Sequence, residues 1–143
     1  MINSRDLDEL SLAPRKVCQA HIFGCKQQGI ELLVTSTYRD SESQTELYAQ
    51  GRTKNLHLPQ VTKARAGESW HNYRCAWDVV PLVGGKCVWD TRNPLWEEVV
   101  RIGRAVGATH PMLWDMPHFE YKPAGLTLTQ ALDRFKENGT IFL

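Results

Sequence analysis

The chain has 143 residues, 42% hydrophobic and 23% charged, with a formal net charge of +1. That size fits a single domain over residues 1–143 with a core able to do without disulfides, and near-neutrality removes the electrostatic case for a nucleic-acid partner or a polybasic membrane anchor. The first ten residues hold no apolar run and carry acids where a signal peptide has bases, and no stretch approaches the roughly 20 apolar residues of a span, so cytoplasmic synthesis without membrane insertion is expected.

Ser11 is a candidate cap for a first helix, with Pro14 in its opening turn, where a missing N–H costs little. Val17, Ala20, Ile22 and Cys25 roughly follow one helical face, and Gly29 is a plausible stop. Residues 30–36 are rich in β-formers and predict a buried strand. A polar exit, Thr37-Tyr38-Arg39-Asp40, leads to Ser41, which with Gln44 reads as a capping box for a short helix ending at Gly51.

Residues 52–68 show no periodicity and hold several basic residues, Pro59 and Gly67. Loops of this length are functional or mobile. A substrate-covering loop and a disordered surface excursion are both open readings here.

Residues 75–83 predict a central strand, Gly84-Gly85 a hairpin turn, and residues 86–89 the returning strand. Asn93-Pro94 opens a helix whose stripe is Leu95, Trp96, Val99, Ile102 and Val106, ended by Gly107. A brief strand is expected at 118–121. Thr127 with Gln130 forms another capping box, and Leu128, Ala131, Leu132 and Phe135 mark a last amphipathic helix closed by Asn138-Gly139. The fold class is α+β.

Four cysteines (Cys18, Cys25, Cys75, Cys87) form no C-x-x-C pair, so buried thiols are expected, with a Cys75–Cys87 contact across the hairpin left open. His21, His57 and His110 read as structural or solvated. His71, Asp78 and His118 could supply three ligands to a zinc ion and leave a fourth position to water. Asp78 lies between Trp77 and Val79-Val80, where a carboxylate needs a cation or strong hydrogen bonds. Asp115 would remain to handle the proton of that water. Against this, His118 could simply donate to a backbone carbonyl, and Arg39 could pair on the surface with Asp40 or Glu42.

The stretch Ser69-Trp70-His71-Asn72-Tyr73-Arg74-Cys75-Ala76-Trp77-Asp78 resembles the S-x-H-x-x-G-x-A-x-D motif of the D-Ala-D-Ala carboxypeptidase-like zinc peptidases. Asp115-Met116-Pro117-His118-Phe119-Glu120 is similar to their D-x-P-H-F-E form, and Ser36-Thr37-Tyr38-Arg39 with Gln44, Leu47-Tyr48 and Gly51-Arg52-Thr53 resembles the branch of L-alanyl-D-glutamate endopeptidases that includes bacteriophage endolysins. The resemblance implies zinc on His71, Asp78 and His118, Asp115 as general base, Arg39 at the tetrahedral intermediate and Ser69 holding substrate. It implies a small domain with an antiparallel sheet flanked by helices, like the Hedgehog signalling domain and the D,D-peptidases, acting on the peptide stem of peptidoglycan. It also implies a monomer without a wall-binding domain, made in the host cytoplasm and dependent on a holin-like permeabiliser. The rival activities are D,D-carboxypeptidase or dipeptidase on the same scaffold, and a zinc-bearing module without turnover. One departure stands out: Arg74 occupies the usual glycine position, and either adopts a positive φ or projects into the cleft.

Overall fold

A computed structural model describes residues 1–142. Its framework is a four-stranded sheet built on one strand. β2 (Ala76–Val83) pairs antiparallel with β1 (Glu31–Ser36), β3 (Lys86–Cys87) and β4 (His118–Glu120). The returning hairpin strand is shorter than the predicted 86–89, since after Cys87 only Val88 N–H still reaches β2, at Pro81 O.

Helix α1 (Leu12–Gln27) packs on β1 and on α3 (Leu95–Ala105), which also lies against β2. The buried stripe of α1 is Pro14, Cys18, His21 and Cys25 rather than one containing Ala20, which is exposed. Its 4-3-4 spacing is helical, but Cys and His hide it in a hydrophobicity pattern. His21 replaces an apolar residue because it is fully satisfied: Trp77 Nε1–H donates to its Nδ1 at 3.2 Å, and its Nε2–H donates to Val99 O at 2.9 Å. The helices approach closely here, since a Cβ on Gly103 would stand 2.8 Å from Phe119 and 3.0 Å from His21 Nε2.

Ser11 flanks α1 as expected but makes no side-chain cap bond. The predicted Ser41–Gln44 box is absent. Helix α2 (Ser41–Ala49) is capped by Asp40, whose carboxylate accepts from Ser43 N–H at 2.8 Å. An ionised acceptor one residue earlier takes the N-cap role, and Gln44 is left for another task. Asn93 Oδ1 accepts from Leu95 N–H at the start of α3, and the Thr127–Gln130 box forms on α4 (Leu128–Asn138), as predicted. On α4, Leu132 faces solvent while Ala131 is buried.

The main core gathers Leu10, Ile30, Trp77, Val79, Val99, Ile102 and Phe119. A second cluster under α4 joins Tyr73, Cys75, Leu126, Ala131 and Ile141. All four cysteines are free; Cys75 is buried and Cys87 exposed, so neither the hairpin contact nor burial of every thiol is found. Among the described residues, no helix is long and apolar enough to cross a membrane.

Candidate metal centre

Strand pairing assembles the site. Alternation along β4 sends Phe119 into the core and turns His118 and Glu120 to the opposite face. Asp78 is the direct cross-strand partner of His118, so forty residues of separation collapse to adjacency. His71 arrives from the other side, on a 3-10 helix spanning Trp70–Tyr73 just before β2. Seven residues of β-strand would have turned His71 away from Asp78; the helical turn brings it back.

His71 Nε2 lies 3.1 Å and His118 Nδ1 3.2 Å from the same oxygen, Asp78 Oδ1. Ligand atoms from the three residues all fall within 4.8 Å of one another. Zinc bonds of about 2.0–2.2 Å require such a cluster, and two imidazole nitrogens with one carboxylate oxygen form a three-ligand set that leaves one position open. The donor set therefore fits a catalytic zinc.

The two histidines present different nitrogens. His71 Nδ1–H donates to Thr37 O at 2.8 Å, which leaves Nε2 to face the cluster. His118 Nε2 lies 2.7 Å from Glu120 Oε2, which leaves Nδ1 to face it. Glu120 is 2% exposed, and its other oxygen accepts from Lys122 Nζ at 2.6 Å. Neither Glu120 nor Lys122 is a sequence-predicted site residue, although the i, i+2 spacing of His118 and Glu120 in a strand is the signal that finds the first.

Charge follows geometry. Burial alone would raise the Asp78 pKa, but His71 and His118 hold it well below the usual carboxylate range. Burial would lower that of His118, yet its bonds to Asp78 and Glu120 carry it up to about 9. The Asp115 pKa is raised, first by burial and then by the charge of Asp78. Burial pulls the Arg39 pKa down, while Asp78 and Asp115 push it back up. These groups share one local field.

All six predicted residues (Arg39, Ser69, His71, Asp78, Asp115 and His118) line one cleft of about 1210 Å³. Arg39 is no surface ion pair: Nη1 donates to Gln44 Oε1 at 3.0 Å, Nη2 to Ser36 Oγ at 3.3 Å, and Nε is buried with no partner. The backbone of Arg39 is tied to the 3-10 helix, since its N–H donates to His71 O and its carbonyl accepts from Asn72 Nδ2. Ser69 Oγ caps that helix, accepting from His71 N–H at 3.3 Å.

The long loop is a wall of this cleft. Residues 60–64 line it, Gln44 Nε2 donates to Ala64 O at 2.7 Å, and Gln50 Nε2 donates to Pro59 O at 2.9 Å. Leu58 O and Gln60 N pass 2.9 Å from where a Cβ on Gly51 would stand, so the loop needs glycine there. Residues 60–64 thus lie at the cleft, where a substrate-covering loop would have to be.

Arg74 takes the first of its two alternatives. Its φ of 58° and ψ of 36° are left-handed, and its side chain turns away from the cleft to Glu9 Oε2 (2.6 Å) and the face of Tyr38 (3.8 Å to the ring centroid). The motif's glycine thus marks a backbone conformation, which arginine adopts with compensating contacts.

Residues 13–91 match the VanY family, D-alanyl-D-alanine carboxypeptidase. The chain is 37% identical over 108 residues to the peptidoglycan L-alanyl-D-glutamate endopeptidase CwlK of Bacillus subtilis (strain 168), covering 67% of this chain and 64% of that protein. The alignment thus spans under two thirds of the relative. Among solved structures, the chain resembles the zinc complex of the vancomycin resistance D,D-pentapeptidase VanY E175A mutant from a VanB-type cassette (TM-score 0.63, 14% identity, 92% of this chain and 80% of that one). It also resembles the Serratia marcescens L-Ala D-Glu endopeptidase ChiX (TM-score 0.59, 18% identity, 85% and 89%). At these identities the two structures establish the small α+β fold.

Proposed function

The chain belongs to the VanY D-alanyl-D-alanine carboxypeptidase family, and from that premise we propose that it is a zinc-dependent peptidoglycan hydrolase cutting between L-alanine and D-glutamate of the peptide stem. One observation carries the chemistry: the His71–Asp78–His118 cluster shares a single cleft with a half-buried carboxylate, Asp115, and a fixed guanidinium, Arg39. Similarity to CwlK supports the choice of bond.

Zinc held by His71, Asp78 and His118 supplies a Lewis acid and a water acidified to a pKa of about 7. Asp115 takes the proton of the attacking water on its carboxylate and returns it to the leaving amine. A pKa raised by burial and by Asp78 suits a group that must hold that proton between the two steps. Arg39, pinned by Gln44 and Ser36, turns its remaining donor capacity toward negative charge developing on the scissile oxygen. Ser69 contacts substrate at the cleft wall, which residues 60–64 help to form.

Residues 1–143 act in this proposal as one catalytic domain and as a monomer. The lytic setting, a bacteriophage-type enzyme delivered to the wall by a holin-like permeabiliser, rests on the motif resemblance; lysis of cultures expressing the chain with and without such a partner tests it.

The family description favours one second reading, D,D-carboxypeptidase activity. Mass spectrometry of purified peptidoglycan incubated with the protein, with and without a chelator, separates the two. Chelator-sensitive release of peptides beginning with D-glutamate is expected. Release of D-alanine alone would replace the proposal with the second reading, and no release with zinc bound would reduce the domain to a binding module.

A further inference from the structure

The buried carboxylate of Glu120 has no part in the proton transfers assigned above. It stands at the ring nitrogen of His118 opposite the metal-facing one: Nδ1 is 3.2 Å from Asp78 Oδ1, and Nε2 is 2.7 Å from Glu120 Oε2. An imidazole that ligates through Nδ1 carries its proton on Nε2, and that proton needs an acceptor. Glu120 is that acceptor. Its backbone is pinned to Thr109, since its N–H donates to Thr109 O and its carbonyl accepts from Thr109 N–H. The side chain therefore has little freedom to leave.

A carboxylate 2% exposed is costly unless its charge is answered. Lys122 answers it, with Nζ 2.6 Å from Glu120 Oε1 and 4.4 Å from the centroid of the Trp70 ring. Trp70 and Lys122 both line the cleft, so the pair runs from the back of His118 to the substrate surface. His71 is treated differently, because a neutral carbonyl, Thr37 O, receives its Nδ1–H. One ligand is thus backed by a dipole and the other by a full negative charge.

We propose that Glu120, neutralised by Lys122, is a positioning residue that selects Nδ1 of His118 as the ligating nitrogen and strengthens it as a donor. The proposal rests on the zinc-peptidase reading and deepens its metal site. Hydrogen bonding to the charged carboxylate raises the basicity of the ring, and losing such an outer partner weakens metal binding by about 10–100-fold.

The test uses the full chain with zinc alone as probe, measured by chelator competition, and nitrogen-15 NMR of the histidine rings. The double variant Glu120→Leu/Lys122→Met removes both charges and leaves no orphaned ammonium; Glu120→Gln/Lys122→Met keeps an uncharged acceptor. Zinc affinity is expected to fall about 10–100-fold in the first and by a smaller factor in the second. The protected Nε2–H signal of zinc-loaded His118 should be present in the wild type and the Gln variant and lost in the Leu variant. Wild-type zinc affinity in the Leu variant, or in the Gln variant should the Leu variant not fold, overturns the proposal. Failure of the wild type to take up zinc would instead overturn the metal reading beneath it.

Discussion

Gln44 holds Arg39 by accepting from its Nη1 at 3.0 Å while the same carboxamide donates to Ala64 O at 2.7 Å. One fully buried side chain thereby links the cleft's cation to its loop wall. Replacing Gln44 by Met keeps the volume and removes both bonds. We expect kcat to fall by about 10²-fold, the loss typical of a small misplacement of a reacting group. Losing the bond to the half-buried Ala64 carbonyl should lower stability by about 0.5–1.5 kcal/mol. Steady-state hydrolysis and a urea melt check the two effects, and wild-type kcat in a folded Gln44→Met protein would show that Arg39 needs no such support.

Asp115→Ala separates metal from chemistry. The carboxylate lines the cleft but is not one of the three clustered ligands, so zinc affinity should remain near wild type while cleavage drops about 10²–10⁴-fold. Retained cleavage would move the proton-transfer role elsewhere.

Zinc uptake should be coupled to protons. The pKa of His118 is carried from 6.5 to about 9, because Asp78 and Glu120 more than offset the opposing effect of burial. At neutral pH the metal-free ring is protonated, and a ligand must give that proton up. Calorimetry in buffers of different ionisation enthalpy should record about one proton released per zinc, with affinity rising about tenfold per pH unit until pH approaches 9. The sign for folding runs the other way. In the metal-free protein this histidine contributes stability that is full below 6.5 and lost as pH rises through about 9. Flat metal-free stability across that window would contradict the coupling.

Arg74 offers a test of backbone against side chain. Arg74→Gly relieves a left-handed φ worth about 1 kcal/mol but forfeits the contacts with Glu9 and Tyr38. Arg74→Ala forfeits the contacts and keeps the strain, so it should melt below the glycine variant by a difference of about 1 kcal/mol. Because the side chain points away from the cleft, both variants should hydrolyse peptidoglycan at the wild-type rate.

Much of this architecture was readable before any coordinates. β1, β2 and α3 follow from apolar runs and stripes, and α4 from a capping box that forms as written. His71, Asp78 and His118 came from a motif; their convergence depends on a 3-10 turn and a cross-strand register that residue spacing does not encode. The misreadings share a cause. Gln44 looked like half of a capping box because its tertiary partners, Arg39 and Ala64, are invisible locally, and Asp40 was the stronger cap. The choice between a structural and a solvated His21 was open in the sequence, because the structural role found depends on Trp77 and Val99, far along the chain. The 52–68 segment has no periodicity since Gln44 of α2 and Gln50 just after it, not its own pattern, hold it in place.

Direct pairing of Asp78 with His118 has a mechanical side. An ion bonded to both would act as a removable cross-link, closing the chain between positions forty residues apart much as a disulfide would. The stapled segment includes the whole of α3 and the hairpin before it. A chain stripped of that ion would lose more than a Lewis acid: the three-residue strand β4 would keep its backbone pairing, the burial of Phe119 and the His118–Asp78 bond, but not the cross-link. Local opening there, detectable as faster amide exchange at His118 and Glu120, should precede any change in the helices.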